Sequence, residues 1–364
     1  VKASYAADPL HASREFRMLI RRLHENGMEC VMEFYFAPGM NQNVILDALR
    51  FWVREYHVDG FVLNPYNVPW EQLIEDPFLK DIKLMQKDDG FQNVMRRFLK
   101  GDENMVNDVI WALKNRSSEN GKCNYITTQT GFTLWDLVSY DCKHNEENGE
   151  KNLDGPDYNY SWNCGAEGPS RKRAVVNLRK NQVKNALELL LTAQGTPCLL
   201  AGDEFCNSQK GNNNCYCQDN DISWLDWRNA AKNEPFLDYV KALIQFRQKH
   251  SVLHADHELA MTDFNGNGYP ELSYHGEDAW KIHSESCDRH VGMMYCEPLP
   301  VQKDKWDNDY IYIAYNMHWE AKSFALPTLP GNYTWNTVLD TQYPQFTAMP
   351  NAEPMLEKTK EIEV

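Results

Sequence analysis

Apolar positions follow two alternating patterns over the first two thirds of the chain, and each pattern predicts a different element. Between residues 43 and 56 they recur at helical spacing, which predicts an amphipathic helix. Residues 58–63 form an unbroken apolar run that predicts a buried strand, and Asn64-Pro65 ends it. A helix followed by a strand with a polar residue at its carboxyl end is how α/β enzymes present catalytic side chains.

The same alternation continues to about residue 252. Further predicted strands cover residues 30–36, 81–85, 124–128 and 197–200, and further predicted helices cover residues 16–23, 91–98, 105–113, 178–193 and 236–244. Helices that alternate with short apolar strands imply parallel βαβ units, and the loops after the strands are the long ones, as in a (β/α) barrel. With about five predicted strands, a closed eight-stranded barrel would need strands from elsewhere.

After residue 252 the helical pattern disappears. Residues 309–316, 322–326 and 333–339 are predicted strands, separated by segments that contain Pro and Gly. Strands without intervening helices predict a small antiparallel β-sandwich. The sequence therefore predicts two domains, a partial (β/α) barrel over residues 1–252 and a sandwich over residues 253–364.

Charge limits the kinds of partner that the chain can have. The formal net charge is −15 over 364 residues, which argues against binding nucleic acid or an anionic membrane. It fits a neutral partner such as a sugar polymer. The 11 Trp and 18 Tyr residues could stack on sugars, although burial in a core is the commoner use of aromatic side chains. No apolar run reaches membrane-spanning length.

Cysteine and histidine usage indicates neither a disulfide framework nor a metal site. The 10 Cys residues include no Cys-x-x-Cys pair, which favours a reducing, cytoplasmic compartment. Histidines such as His144 and His275 lack the spacing of metal ligands. We therefore predict no metal and no cofactor.

Several ordered motifs are specific enough to indicate a family. They include Gly131-Phe132-Thr133-Leu134, Ser161-Trp162-Asn163-Cys164-Gly165, Ala201-Gly202-Asp203-Glu204-Phe205 and Gly211-Asn212-Asn213-Asn214. Together they resemble the isoamylase and glycogen-debranching branch of the alpha-amylase superfamily, glycoside hydrolase family 13. The resemblance implies a (β/α)8 TIM-type barrel followed by an all-β sandwich. It also implies that the first two barrel strands precede Val1, so that the barrel is incomplete at its N-terminus.

The same resemblance implies hydrolysis of α-1,6 branch points in glycogen or starch, with a nucleophilic carboxylate and a second carboxyl group as acid/base. The family's nucleophile motif resembles Gly-Phe-Arg-Phe-Asp, whereas residues 60–64 are Gly-Phe-Val-Leu-Asn. Asn64 thus holds the nucleophile position and Val62 the position of the orienting Arg. A neutral Asn cannot readily form the glycosyl-ester intermediate.

The other family positions are changed as well. Gln129-Thr130 stand where the family has His-Asp, so Thr130 holds the position of the stabilising Asp. Ala37-Pro38 replace an Asn-His pair after the first predicted strand, and Glu33 holds the place of an Asp in that strand. The acid/base Glu should follow the strand over residues 81–85. Here Gln86-Lys87-Asp88 come next, and the segment before the following helix is missing.

A few polar residues remain as candidates for contacts with sugar, and each has a structural alternative. Asp203 and Glu204 are the best remaining acids, because Asp59 lies at the wrong end of its strand and Glu33 is more readily a structural acid. Asn64 could cap its strand, Gln129 and Thr130 could be inert, Trp162 could pack in the core, and Asn213 could form a turn. The substrate-binding candidates are Asn64, Gln129, Trp162, Asp203, Glu204 and Asn213.

Three functional hypotheses follow. The first is a pseudoenzyme, a catalytically silent debranching-enzyme homologue that binds α-glucan (glycogen or starch) or modulates an active debranching enzyme. The second is an active α-1,6-glucan hydrolase with a diverged site, with Glu204 as the acid/base. The third is a truncated product without function, because an open barrel exposes the edges of its strands.

Overall fold

The computed structural model describes residues 8–115, 121–264, 266, 268–282, 284–285, 288–301, 305–330, 333–342 and 361–364. These residues form two compact units. The first unit contains the described residues of Val1–Asp88 and Ser117–Cys123, and the second contains those of Asp89–Arg116 and Asn124–Val364. Because β4 (Gly121–Tyr125) crosses the boundary, its first three residues belong to the first unit and its last two to the second.

The first unit alternates helices and parallel strands. Its elements are α1 (Ala12–Glu25), β1 (Val31–Glu33), α2 (Gln42–Tyr56), β2 (Gly60–Val62), α3 (Trp70–Glu75), β3 (Lys83–Lys87) and the start of β4. The strands lie in sequence order and are all parallel, with β2 between β1 and β3, and β3 between β2 and β4. This is the βαβ arrangement that the alternating pattern predicts.

The helix over residues 42–56 forms because its apolar side chains share one face. Ile45 and Leu49 on that face are fully buried, as is Phe61 in β2. Asn41 begins the helix, and its side-chain oxygen accepts a hydrogen bond from Asn43 N at 2.9 Å. His57 ends the helix with a left-handed backbone, at φ 58°.

The second unit is the larger one. Its helices are α4 (Asp89–Lys100), α5 (Val106–Lys114), α6 (Leu134–Leu137), α7 (Arg173–Thr192), α8 (Trp227–Lys232) and α9 (Glu234–Lys249). Its strands are the end of β4, then β5 (Thr196–Cys198), β6 (Leu272–His275), β7 (His290–Val301), β8 (Lys305–Asn316), β9 (Ser323–Ala325) and β10 (Glu361–Glu363). In this unit β5 is the neighbour of β4 in the parallel sheet.

The C-terminal strands of the second unit are antiparallel and form two separate sheets. One contains β6, β7 and β8 in that order, and the other contains β9 and β10. Side chains of α7 and of the three-stranded sheet share one apolar core, in which Val183 and Tyr295 are fully buried. The hydroxyls of Thr192 in α7 and Tyr315 in β8 lie 2.5 Å apart within this core.

The five predicted parallel strands are confirmed, although β1, β2 and β5 are shorter than the apolar runs that predicted them, and β3 and β4 are shifted along the chain. The predicted strands over residues 309–316 and 322–326 correspond to β8 and β9. The predicted strand over residues 333–339 is wrong, because these residues pair with no strand in the described chain. There a side chain holds the backbone instead, with the Trp335 indole N–H donating to Pro327 O at 3.0 Å.

Three strands (β6, β7 and β10) and three helices (α3, α6 and α8) were not predicted. β6 and β7 contain Pro, Gly, His and Cys among their apolar residues, so they lack a regular alternation. α3 has only six residues, which is too short for a helical period to be recognised. The partial (β/α) barrel over residues 1–252, the sandwich arrangement and the domain boundary after residue 252 stay predictions.

Two further properties concern the described residues as a whole. None of their helices combines the length and the apolar character that crossing a bilayer requires. Every cysteine among them is a free thiol, and Cys123 is buried, with 5% exposure.

We expect Gly60→Ala to destabilise the first unit, because a Cβ at residue 60 would lie 2.5 Å from Lys83 O and 2.6 Å from Lys83 Cβ in the neighbouring strand. The loss should be about 3 kcal/mol, as for other overpacked interiors. Gly27→Ala is the control, since its Cβ would meet nothing within 4 Å and only its φ of +70° opposes the change, at about 1 kcal/mol. Thermal unfolding followed by circular dichroism measures both, and equal melting temperatures would contradict the tight β2–β3 contact.

Candidate functional site

Asn64 lies at the carboxyl end of β2, at the position to which the sequence resemblance assigns the nucleophile. Its side chain is exposed, and its Oδ1 accepts a hydrogen bond from Tyr66 N at 3.0 Å. Its backbone oxygen accepts from Asn67 N at 3.1 Å. Asn64 therefore caps the short 3-10 turn Pro65–Asn67, which is the structural alternative considered for it. Its contact with sugar stays a prediction.

Glu33 and Lys87 form an ion pair across the same end of the parallel sheet. Lys87 Nζ lies 2.7 Å from Glu33 Oε1 and 2.8 Å from Oε2. Glu33 is the last residue of β1, opposite Val62 of β2, and Lys87 is the last residue of β3. The carboxylate is 45% exposed and the lysine 23% exposed, so the pair is open to solvent on one side. Glu33 is thus a paired acid, not a free one.

Little chain is left after β3 to carry an acid/base group. Asp88 alone separates β3 from α4. Its Oδ2 accepts from Lys122 Nζ at 3.0 Å, so this carboxylate also contacts a lysine. Retaining hydrolysis needs one ionised and one protonated carboxyl group about 5–5.5 Å apart. Glu33 and Asp88 each contact a lysine ammonium group instead.

Asp59 lies at the opposite end of β2, as the sequence predicts. Its Oδ2 accepts from Cys30 N at 2.7 Å and lies 2.8 Å from His24 Nε2. Burial alone would raise the pKa of Asp59, but these hydrogen bonds and the charge of His24 outweigh burial and leave the pKa below its ordinary value. Asp59 joins α1 to the sheet and is a structural acid.

In the second unit, Gln129 and Thr130 are exposed at the loop after β4. The Thr128 hydroxyl donates to Thr130 O at 2.9 Å and lies 3.2 Å from the Thr130 hydroxyl. Thr130 thus belongs to a local turn that the Thr128 hydroxyl stabilises. Neither side chain carries a charge that could stabilise a cationic transition state.

Asp203 is buried, with 1% exposure, and its carboxylate is used inside the unit. Its Oδ1 accepts from Leu134 N at 2.8 Å, and its Oδ2 accepts from the Thr127 hydroxyl. Burial raises the pKa of Asp203 to about 7, although these two hydrogen bonds oppose the shift. The neighbouring Glu204 is half-buried, and its Oε2 accepts from Gly202 N at 2.7 Å. Asp203 connects the loop after β4 to the start of α6.

Asn213 is also buried and joins three parts of the long loops. Its backbone N and Oδ1 both bond to the Asn145 amide group, at 2.9 Å each. Its Nδ2 donates to Pro156 O at 2.8 Å and to Asn159 Oδ1 at 3.0 Å. Its backbone oxygen accepts from Gly131 N at 2.8 Å, which places it beside Thr130. With these groups used internally, Asn213 has a structural role, and a contact with sugar stays a prediction.

Trp162 is half-buried and packs against the apolar core of the second unit. Its backbone N donates to Leu137 O at 3.0 Å. This agrees with packing, the alternative that the sequence favours for it.

Two buried charged residues that hold loops of the second unit, Arg179 and Asp136, were not identified from the sequence. The guanidinium of Arg179, 1% exposed, donates to Gly168 O at 2.7 Å and to Asn163 O at 3.0 Å, and also contacts Ala166 O. Asp136 is fully buried and accepts from the Ser208 hydroxyl at 2.5 Å and from Gln209 N at 2.7 Å. The sequence shows each of them only as a charged residue close to apolar ones, Arg179 in α7 and Asp136 in α6.

Comparison with known proteins identifies the family. No family model matches the chain. A glycogen debranching enzyme of Serratia proteamaculans is 38% identical over 349 residues, which cover 70% of this chain and 52% of that protein. The chloroplastic isoamylase 3 of Oryza sativa subsp. japonica is 27% identical over 432 residues, which cover 93% of this chain and 53% of that protein. The chain belongs to the isoamylase and glycogen-debranching family.

The fold agrees with a solved structure from the same superfamily. Pullulanase type I of Bacillus subtilis, solved in complex with maltose, superposes with a TM-score of 0.67 at 15% identity. The superposition covers 100% of this chain and 56% of the pullulanase. The chain spans about half the length of the curated relatives that it matches. Among the described residues, no group of three or more His, Cys, Asp or Glu side chains could hold a metal ion.

The raised pKa of Asp203 predicts a pH dependence of stability. The folded state holds this proton up to about pH 7, whereas the unfolded chain releases it near the ordinary pKa of 3.8. Stability is therefore lost as the pH rises from about 4 to about 7. We expect Asp203→Asn, a neutral isostere, to flatten this decline in urea unfolding at pH 5 and pH 8. Asp136 and Glu188, whose pKa values are also raised, keep part of it. Parallel pH profiles of variant and wild type would contradict the assignment.

We expect Arg179→Met to destabilise the second unit by about 3 kcal/mol or more, because several buried carbonyl oxygens lose their donor. The same change should make the loop of residues 141–170 sensitive to trypsin at Lys151. Arg171→Met is the matched control, since Arg171 is exposed and its replacement should alter stability by less than about 0.5 kcal/mol. Urea unfolding and limited proteolysis measure both variants. An intact loop in the Arg179 variant would show that other contacts hold it.

Proposed function

We propose that this member of the debranching family binds α-glucan without hydrolysing it. The observation that carries the proposal is the carboxyl end of the parallel sheet in the first unit. Asn64 caps a turn there, and Glu33 is neutralised by Lys87. Without an ionisable group at residue 64, a covalent glycosyl intermediate has no oxygen nucleophile to form on.

A diverged active site finds little support among the acids of the second unit. Asp203 would be a suitable general acid by its pKa of about 7, but it is 1% exposed and both its oxygens accept internal hydrogen bonds. Glu204 bonds to the backbone of its own turn. A general acid must reach the leaving oxygen of the substrate within hydrogen-bond distance, which a buried carboxyl group cannot do.

Binding without hydrolysis is supported by what the family motifs do in this chain. The residues of the Asn-rich motif and of the Gly-Phe-Thr-Leu motif hold the loops in place through buried hydrogen bonds. The presence of these motif residues is explained by the need to keep the fold. The pullulanase of similar fold was solved with maltose. We infer that the chain adopts the family architecture, with (β/α) barrel units followed by a β-sandwich.

The direct test is an assay on glycogen and pullulan combined with affinity electrophoresis in gels that contain glycogen. We expect no release of reducing ends by the wild type or by Asn64→Asp, because one restored carboxylate still lacks an acid/base partner. We also expect glycogen to retard the wild type. Catalysis by the wild type that disappears in Glu204→Gln would establish a diverged hydrolase and refute the proposal, as would unretarded migration.

A further inference from the structure

A cavity of about 360 Å³ opens in the second unit, between α6, α7, α8 and the segment after β5. Its walls include Trp135, Val176, Lys180, Ser208, Asn229 and Asn233. None of these residues holds a catalytic position of the family or is a substrate-binding candidate from the sequence. The volume lies in the range of small-ligand pockets.

Trp135 supplies an aromatic wall that the fold holds in place. The preceding residue, Leu134, donates its backbone N–H to buried Asp203 at 2.8 Å, which anchors the start of α6. Trp135 itself is half-buried and packs against the apolar core on one side. Within the described chain its indole N–H has no hydrogen-bond partner, so a bound molecule can accept from it.

Two amide side chains on consecutive helical turns add hydrogen-bonding groups. Asn229 lies on α8 and is half-buried, and its amide group bonds to no other described residue. Asn233 follows the helix, and its Nδ2 donates to Phe205 O at 3.1 Å. That bond fixes the side chain and leaves Oδ1 as an acceptor. An amide donor and an amide acceptor in one cavity match the hydroxyl groups of a sugar.

The charges around the cavity favour a neutral ligand over a phosphorylated one. The Ser208 hydroxyl in the wall donates to buried Asp136 at 2.5 Å, which places a carboxylate one hydrogen bond behind the wall. Burial raises the pKa of Asp136 only to about 6, so it is mainly ionised at neutral pH and repels anions. Among the described residues that line the cavity, the one cation is Lys180, which is exposed. A lysine ammonium group in contact with water is strongly hydrated.

The cavity is suited to binding and not to covalent chemistry. Cys206, the thiol in its wall, is 9% exposed, and burial raises its pKa to about 12. A protonated thiol is a poor nucleophile. The Ser208 hydroxyl donates to Asp136, and the described residues that line the cavity include no histidine to activate either group.

We propose that this cavity binds a neutral glucosyl unit of an α-glucan, which stacks on Trp135 and exchanges hydrogen bonds with Asn229 and Asn233. The inference deepens the proposed function, on which it rests, by assigning glucan binding to α6, α7 and α8 instead of the carboxyl ends of the strands in the first unit.

The test is isothermal titration of the full chain with maltose. Val176→Phe places a ring inside the cavity and should weaken maltose binding at least about tenfold, because the sugar and the ring compete for the same volume. Asn177→Phe is the matched control, since it adds the same ring at the next position of α7 on an exposed side chain, and its affinity should equal that of the wild type. Asn229→Ala should also weaken binding, and alanine favours the helix, so this variant stays folded.

Each other outcome is decisive. Unchanged affinity of Val176→Phe and Asn229→Ala would overturn the cavity assignment while leaving glucan binding intact. Retardation of the wild type by glycogen without any response to maltose would do the same. Tighter binding of glucose 1-phosphate than of maltose, lost in Val176→Phe, would overturn the neutral class of ligand. Maltose binding that depends on the cavity, without retardation by glycogen, would uphold the site and defeat the proposed function.

Discussion

The loops of the second unit depend on one constraint: polar groups that are buried away from water must find hydrogen-bond partners inside the protein. Arg179 meets this need for several backbone carbonyl groups, and the amides of Asn145 and Asn213 meet it for one another. Losing any member leaves a buried donor or acceptor alone, and that is more costly than the bond itself was worth. The network is therefore kept for stability.

This constraint separates the two kinds of family residue. Those in the buried network are retained whatever happens at the catalytic positions, because the fold needs them. Those at the exposed carboxyl ends of the strands, such as Asn64 and Thr130, have no such role for a carboxylate and are free to change. Glu33 and Lys87 lie at the same end of the sheet, and their charges balance each other.

The parallel strands and the main helices could be predicted from the sequence because their periodicity is strong and local. The conformation of residues 333–339 could not be predicted. Their alternating apolar residues are typical of a strand, but the same pattern also fits a segment that a side-chain hydrogen bond holds, as that of Trp335 does here. At the candidate site, the sequence alone identifies an amide at residue 64. The role of Asn213 could not be predicted from the sequence, because an amide suits a sugar hydroxyl and a turn equally. Only its buried hydrogen-bond partners distinguish the two roles.

The turn after β2 has a chemical consequence. Asparagine side chains age into aspartate when the next backbone nitrogen attacks the amide carbon and a cyclic imide forms and opens. At residue 64 that product would be the acid of the family's nucleophile position. The next residue, however, is Pro65, whose ring nitrogen carries no hydrogen to lose in the cyclisation. The cyclic-imide route from asparagine to aspartate is therefore closed at residue 64, and the amide is protected from this form of ageing.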